Sequence, residues 1–360
     1  MDVRSNFRKS VIDLSPYTVS GHPAKIKLNQ NESPYDVPSE IKEEIIGQFF
    51  KMSWNRYPEV FPVSLPRRIS QIHNIAEDSI IASNGSNELI YTTALAIVKD
   101  GTEVLIPQPT FYLYEKVVGI LGGEIRKVFA KSDLSFDEER ILEESRRIKS
   151  GLIIISSPNN PTGKSASPDF FKELLDSTGA IVLVDEAYIE FSENKSLIEL
   201  VKAYKNLVVL RTFSKAFSLA GLRIGYLAAH PETAAEILKV KIPFTVNPLS
   251  EFTALKLLDH GDLFARRIEI LKRQKLEMVG ELNKINGVKA LQSDANFFLF
   301  STPLAPKVIF EDLLERENVL VRDVSSYPML EKYLRVNAGT EEESKLFISS
   351  VRACLNAVRS

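Results

Sequence analysis

A single cysteine, a single tryptophan and four histidines stand in a chain of 360 residues. Cys354 has no second cysteine with which to close an internal disulfide, so covalent cross-linking plays no part in this fold. His22, His73, His230 and His260 are not spaced as ligands to a common ion, and no metal is expected. No apolar run approaches the ~18 residues needed to span a bilayer. The opening "MDVRSNFRKS" lacks the apolar core of a secretory signal, so a cytoplasmic location with no membrane partner is expected. Charge of one sign is also missing: 45 Lys and Arg against 47 Asp and Glu leave a formal −2, which offers no broad field to nucleic acid. No G-x-G-x-x-G follows the early apolar runs, which argues against a dinucleotide site. A basic DNA-binding extension, as a cofactor-dependent regulator would need, is likewise missing.

What the chain does have is 44% apolar residues, enough for a full core, and a regular alternation of apolar runs with amphipathic segments. The runs are "EVLIP" (103–107), "LIIIS" (152–156), "AIVLVD" (180–185), "LVVLR" (207–211) and "IGYLAA" (224–229). Continuous apolar strands need cover on both faces, which predicts an α/β domain with a mostly parallel sheet between helices. Residues 1–40 are rich in Pro, Asn and Ser and read as an extended arm leading into a helix capped by Ser39; such an arm suits a contact with a neighbouring subunit. After "KIPFTVNPLS" (241–250), a long charged helical segment to about residue 284 precedes "ANFFLF" (295–300). The expected division is therefore an arm (1–40) belonging with a small domain, a large domain (41–245), and a small α+β domain (246–360).

Ligands on parallel sheets bind beyond the carboxyl ends of the strands. The polar residues there are Ser86 and Asn87 in "NGSNE", Phe111 in "PTFY", Asn160 in "PNNPTG", Asp185 and Tyr188 in "DEAY", and Thr212, Ser214, Lys215 and Arg223 in "RTFSKAFSLAGLRIGY". Each has a plainer reading: a turn and helix cap, a loop, a structural ion pair, a surface lysine. Taken together they match the needs of one ligand, pyridoxal phosphate. A lysine forms a Schiff base with its aldehyde, and a carboxylate partners its pyridinium nitrogen. An aromatic side chain stacks on the ring, and a helix start with hydroxyls and an arginine holds the phosphate dianion.

At this point the chain resembles the pyridoxal-phosphate aminotransferases of the aspartate aminotransferase fold, and within them most closely the histidinol-phosphate aminotransferases. The resemblance runs through "LNQNESPY", "NRYPE", "NGSNE", "PTFYLY", "PNNPTG", "VDEAY", "TFSKAFSLAGLRIGY", "VRDVSSYP" and "LRVNAGT", in the family's order. It implies a type I transferase fold with a smaller second domain, and a homodimer whose sites lie at the interface. It further implies Lys215 as the Schiff-base lysine and proton carrier, Asp185 at the ring nitrogen, Tyr188 and Asn160 at the ring oxygen, and Phe111 on the ring face. Ser86, Asn87, Thr212, Ser214 and Arg223 would hold the phosphate, which Tyr57 would reach from the neighbouring subunit. Arg335 would grip the substrate's carboxylate or phosphate, with Arg322 and Tyr17 as further anion contacts. Three positions depart from the family's pattern: Asn87 for Asp, Ser33 for Asn and Phe111 for Tyr.

The reaction implied is amino transfer between L-glutamate and imidazole-acetol phosphate, giving L-histidinol phosphate and 2-oxoglutarate in histidine biosynthesis. Two alternatives share the fold: an aromatic amino acid aminotransferase, whose substrate carboxylate Arg335 would serve equally, and a phosphothreonine decarboxylase, which the text of "AGLRIGYLAAHPE" and "VRDVSSYP" disfavours.

Overall fold

The computed structural model describes residues 3–12, 14–16 and 23–357. Its largest element is a seven-stranded sheet in the order Ile80–Ser83, Gly225–Ala229, Leu207–Thr212, Ile181–Asp185, Leu152–Ser156, Glu103–Gln108, Glu124–Phe129. Gly225–Ala229 runs antiparallel to both its neighbours and every other pairing is parallel, as the continuous apolar runs predict. Alternate residues serve opposite faces: Leu105, Ile153 and Val209 join one helical layer, while Ile106, Ile154 and Val208 join the other.

Five strands coincide with the five runs read from the sequence, and two more complete the sheet as its edges. Ile80–Ser83 is only four residues long, and Glu124–Phe129 exposes Glu124, Arg126 and Lys127. Charge on an edge strand discourages further pairing, and it also disguises the strand in the sequence.

A second sheet carries the strands Arg322–Asp323, Leu334–Asn337, Phe297–Ser301 and Lys289–Ala290, all antiparallel, in that order. Its core includes Phe297, Phe298, Phe300 and Phe347, all fully buried. Part of the arm joins this layer: Ile26–Lys27 pairs in parallel with Val319–Leu320, and Ile26 and Leu28 enter its core, whereas Ser10 Oγ donates to the Ile120 carbonyl on the side of the large sheet. The charged segment after residue 246 is two helices, Pro248–Leu258 and Gly261–Asn283. Ala254, Leu257 and Phe264 pack into the core of the large sheet, while Leu271, Met278 and Leu282 pack into the small one, so this segment ties the two together.

Ser39 does not cap its helix. It is the first helical residue of Ser39–Phe49, and Pro38 holds the cap position with φ −54° and ψ 145° and no side-chain hydrogen bond. The break from extended to helical backbone falls at the proline, whose ring fixes φ, one residue earlier than the serine's capping propensity suggests. No helix among the described residues is long and apolar enough to cross a membrane.

Candidate active site

The parallel strands of the large sheet bring their carboxyl ends to one edge, and the reversed strand Gly225–Ala229 begins at that same edge. Residues that follow Leu152–Ser156, Ile181–Asp185 and Leu207–Thr212 therefore meet Arg223, which precedes the reversed strand. A cavity of ≈ 250 Å³ lies there, closed from the other side by the arm at Asn29–Asn31 and by Arg322 and Arg335 of the small sheet. Ser86, Asn87, Phe111, Asn160, Asp185, Tyr188, Thr212, Ser214, Lys215, Arg223, Arg322 and Arg335 all line it. Of the residues singled out in the sequence, two do not. Tyr57 is 85% exposed and lies against the Phe244 ring, 5.0 Å between centroids, and Tyr17 falls outside the described residues.

Asp185 ends its strand with the carboxylate buried. Its Oδ1 accepts from the Ala187 N–H at 3.0 Å and its Oδ2 from the Tyr114 hydroxyl at 2.8 Å. Burial raises its pKa, against the pull of Tyr114, Ala187 and the nearby Lys215 ammonium. Lys215 donates from Nζ to the Gln30 carbonyl at 2.9 Å, across 185 residues of sequence. Desolvation first, then the Arg335 and Arg223 charges, push its pKa down to about 8. About a tenth of the amine is therefore neutral at pH 7, far more than for an ordinary lysine, which stays charged to pH ~10.4. Only the neutral form attacks an aldehyde, so the uptake of pyridoxal phosphate by cofactor-free protein is expected to accelerate from pH 6 to about 8 and then level off. Stopped-flow absorbance over that range checks this; a rate still climbing tenfold per unit above pH 9 would contradict it.

The ring-oxygen candidates are held so as to donate. Tyr188 accepts from the Asn31 amide at 3.0 Å, which leaves its own O–H to give. Asn160 accepts through Oδ1 from Arg335 Nη1 at 2.5 Å, so its NH₂ is the end it can offer to an acceptor. Arg335 also donates from Nη2 to the Asn29 carbonyl at 2.8 Å and stacks over the Phe297 ring. These contacts fix the guanidinium at the point where arm, loop and small sheet meet.

At the opposite end, helix Ser86–Ile97 starts at the cavity, and its first N–H groups form a natural anion site. Gly85 precedes it with φ +80°, and a Cβ there would stand 2.6 Å from Arg223 Nη2, so only glycine lets the guanidinium lie over the helix start. Arg223 donates to Ser214 Oγ at 3.3 Å, and the Ser214 N–H donates to Thr212 Oγ1 at 3.1 Å. Ser86, Asn87, Thr212, Ser214 and Arg223 thus lie around one helix terminus.

Arg322 and Arg335 are direct cross-strand partners in the small sheet, so their side chains rise from the same face. Like charges at opposed positions repel, and an anion between them removes the penalty. Across the whole cavity Lys215, Arg223, Arg322 and Arg335 face a single carboxylate, Asp185. That imbalance suits a ligand set with two anionic ends, one at the helix start and one at the arginine pair. The donor set also fits pyridoxal phosphate: a buried lysine with a depressed pKa, a buried carboxylate, two donors for a ring oxygen and a cradle for a dianion.

The sequence reading missed Tyr114 behind Asp185, and the arm residues Asn29, Gln30 and Asn31, which bond to Arg335, Lys215 and Tyr188 respectively. Tyr114 lies inside the quoted "PTFYLY" and the arm residues inside "LNQNESPY", yet neither carries a charge that would mark it.

The family profile for class I and II aminotransferases matches residues 23–351. The histidinol-phosphate aminotransferase of Chlorobaculum parvum is 41% identical over 354 residues, covering 98% of this chain and 99% of that one. The enzyme of the same name from Pelodictyon phaeoclathratiforme is 42% identical over 352 residues, with the same coverage of both chains. Among solved structures, histidinol-phosphate aminotransferase from Sinorhizobium meliloti in complex with pyridoxal 5'-phosphate superposes with a TM-score of 0.89 at 20% identity, over 98% of each chain. L-threonine-O-3-phosphate decarboxylase from Porphyromonas gingivalis reaches 0.82 at 23%, over 92% of this chain and 99% of that one, so the fold alone does not separate the two reactions. The match of sequence, near 40% from end to end, does: this chain belongs to the class I and II aminotransferases, and within them to the histidinol-phosphate aminotransferases.

Proposed function

We propose that this protein exchanges an amino group between L-glutamate and imidazole-acetol phosphate, forming L-histidinol phosphate and 2-oxoglutarate in histidine biosynthesis, with Lys215 as the covalent seat of pyridoxal phosphate. The observation that carries this reading is the excess of cations in one cavity, with Lys215 and Arg223 at one end and the opposed Arg322 and Arg335 at the other.

Pyridoxal phosphate, when bound, supplies an aldehyde carbon for the amino group and a ring that withdraws electrons from the substrate carbon. The residues divide the remaining work. Asp185, buried and acceptor-only, keeps the ring nitrogen protonated, while Tyr188 and Asn160 donate to the ring oxygen. Phe111 covers the ring face and, lacking a hydroxyl, does so by stacking alone. Ser86, Asn87, Thr212, Ser214 and Arg223 hold the phosphate. Lys215 Nζ, as a neutral amine, moves the proton at the substrate carbon that bears nitrogen. Arg335 and Arg322 take the phosphate of histidinol phosphate and, in the other half of the cycle, a carboxylate of glutamate.

The active unit is a homodimer in this reading. Phe50, Trp54 and Tyr57 are 79%, 69% and 85% exposed, and the exposed Phe244 ring lies against Tyr57, apolar surface that a second copy would cover. Tyr57, away from its own chain's cavity, would then reach the phosphate of the neighbour, and Tyr17 of the arm would add an anion contact. The arm (1–40), large domain (41–245) and small domain (246–360) are the units of this assembly, which works in the cytoplasm.

The test is a steady-state assay of cofactor-loaded protein with 2-oxoglutarate as acceptor. Histidinol phosphate should support glutamate formation with kcat/KM at least about 10²-fold above that of phenylalanine, because phenylalanine has no phosphate to bridge the arginine pair. Phosphothreonine should release no carbon dioxide. A faster reaction with phenylalanine would make this an aromatic aminotransferase, and release of carbon dioxide would make it a lyase.

A further inference from the structure

We infer that Tyr114 is a positioning residue that acts through Asp185, its hydroxyl fixing one oxygen of the carboxylate that faces the ring nitrogen of pyridoxal phosphate. The inference rests on the reading of Asp185 as that nitrogen's partner.

Tyr114 is 1% exposed and is the second residue of the helix Leu113–Leu121, whose preceding residues include Phe111. Its ring meets the Phe111 ring edge-on, 5.7 Å between centroids at 87°, and its hydroxyl donates to Asp185 Oδ2 at 2.8 Å. One short segment, "FYLY", therefore supplies both the residue assigned to the ring face and the support behind the residue assigned to the ring nitrogen. A phenol in an apolar core needs a partner, and here the partner is the single carboxylate of the cavity.

The chemistry follows from the oxygen count. Ala187 N–H secures Oδ1 and Tyr114 secures Oδ2, so the carboxylate cannot rotate, and each oxygen keeps a lone pair for another donor. The charged groups around Asp185 are few: Lys215 favours its ionised form, and the phenols of Tyr114 and Tyr188 stay protonated because burial raises both. Burial alone drives Asp185 toward the neutral acid, and the Tyr114 hydrogen bond opposes that drive. A neutral acid would no longer hold a proton on the ring nitrogen, so loss of the Tyr114 hydroxyl should reach the electronics of the cofactor through Asp185.

The experiment compares Tyr114→Phe, Asp185→Asn and the double variant, each loaded with pyridoxal phosphate. The expected result for Tyr114→Phe is a fall in kcat of about tenfold, the effect of removing a hydrogen bond to a charged group, with KM for histidinol phosphate within twofold of the parent. The pH midpoint of the bound cofactor's visible absorbance should move up, since a ring that carries less positive charge leaves the Lys215 nitrogen easier to protonate. Asp185→Asn should move it further the same way, and adding Tyr114→Phe to Asp185→Asn should move it no more. An unchanged midpoint in Tyr114→Phe, an additive shift in the double variant, or a Tyr114→Phe chain that does not fold would each overturn the inference. If Asp185→Asn itself left midpoint and turnover unchanged, the reading of Asp185 would fail, and the inference with it.

Discussion

Lys215→Ala is expected to lower kcat by more than about 10⁴-fold, the upper reach of a positioned acid–base group, and to abolish the visible absorbance of covalently held pyridoxal phosphate. At 1.36 kcal/mol per decade this is a loss of about 5.5 kcal/mol of transition-state stabilisation. The size follows from two duties falling on one atom. Nζ is the only amine among the residues that line the cavity, and its pKa of about 8 is set there by burial and by Arg335 and Arg223. No neighbour can take over, because the arginines are too basic to give up a proton near neutrality. The fold should survive: the Lys215 side chain's hydrogen bond goes to the Gln30 carbonyl, and replacing a desolvated cation by methyl relieves rather than adds a charge cost. Absorbance and turnover measured on the same purified variant check this, with thermal unfolding as the control.

Arg335→Lys should raise KM for histidinol phosphate and for glutamate together, each by about 10- to 100-fold, with a smaller fall in kcat. A hydrogen bond to a charged group is worth about 1.5–3 kcal/mol, and lysine offers a point charge where the site presents a planar fork. The guanidinium is already held on two sides, Nη1 by Asn160 and Nη2 by Asn29, and a lysine cannot keep both contacts while meeting the substrate. In the proposed reaction both substrates should suffer, since both would place an anion at the same pair. Kinetics with each substrate varied in turn decide the matter; a KM change confined to one of them would divide the two anions between separate sites.

How much of this was legible beforehand depends on what each residue has to announce itself. The inner strands were readable because burial on both faces demands unbroken apolar runs, and "LIIIS" and "AIVLVD" have hardly another use. The edge strand Glu124–Phe129 was not, since its charges serve to protect an edge. Lys215, Asp185 and Arg223 stood out as charges at strand ends, where charge needs a reason. Tyr114 did not, because a tyrosine in an amphipathic helix reads as core, and it is in fact core at one end and a carboxylate partner at the other. The arm residues were hidden by distance: the bond from Arg335 to Asn29 spans 306 positions, and nothing local to either residue points to the other. Arg322 is named by the resemblance as an anion contact, but that it stands directly across from Arg335 is a matter of strand register, which no residue announces.

The measurement that tests the central claim most directly is reduction of the loaded protein with borohydride, followed by tryptic digestion and mass spectrometry. Cleavage after Arg211 and Arg223 yields the peptide 212–223, "TFSKAFSLAGLR", in which a modified Lys215 is no longer cut. The account predicts that this intact peptide carries one reduced pyridoxal phosphate group on Lys215. A peptide cleaved normally after Lys215, with the label on another lysine or on none, would contradict it.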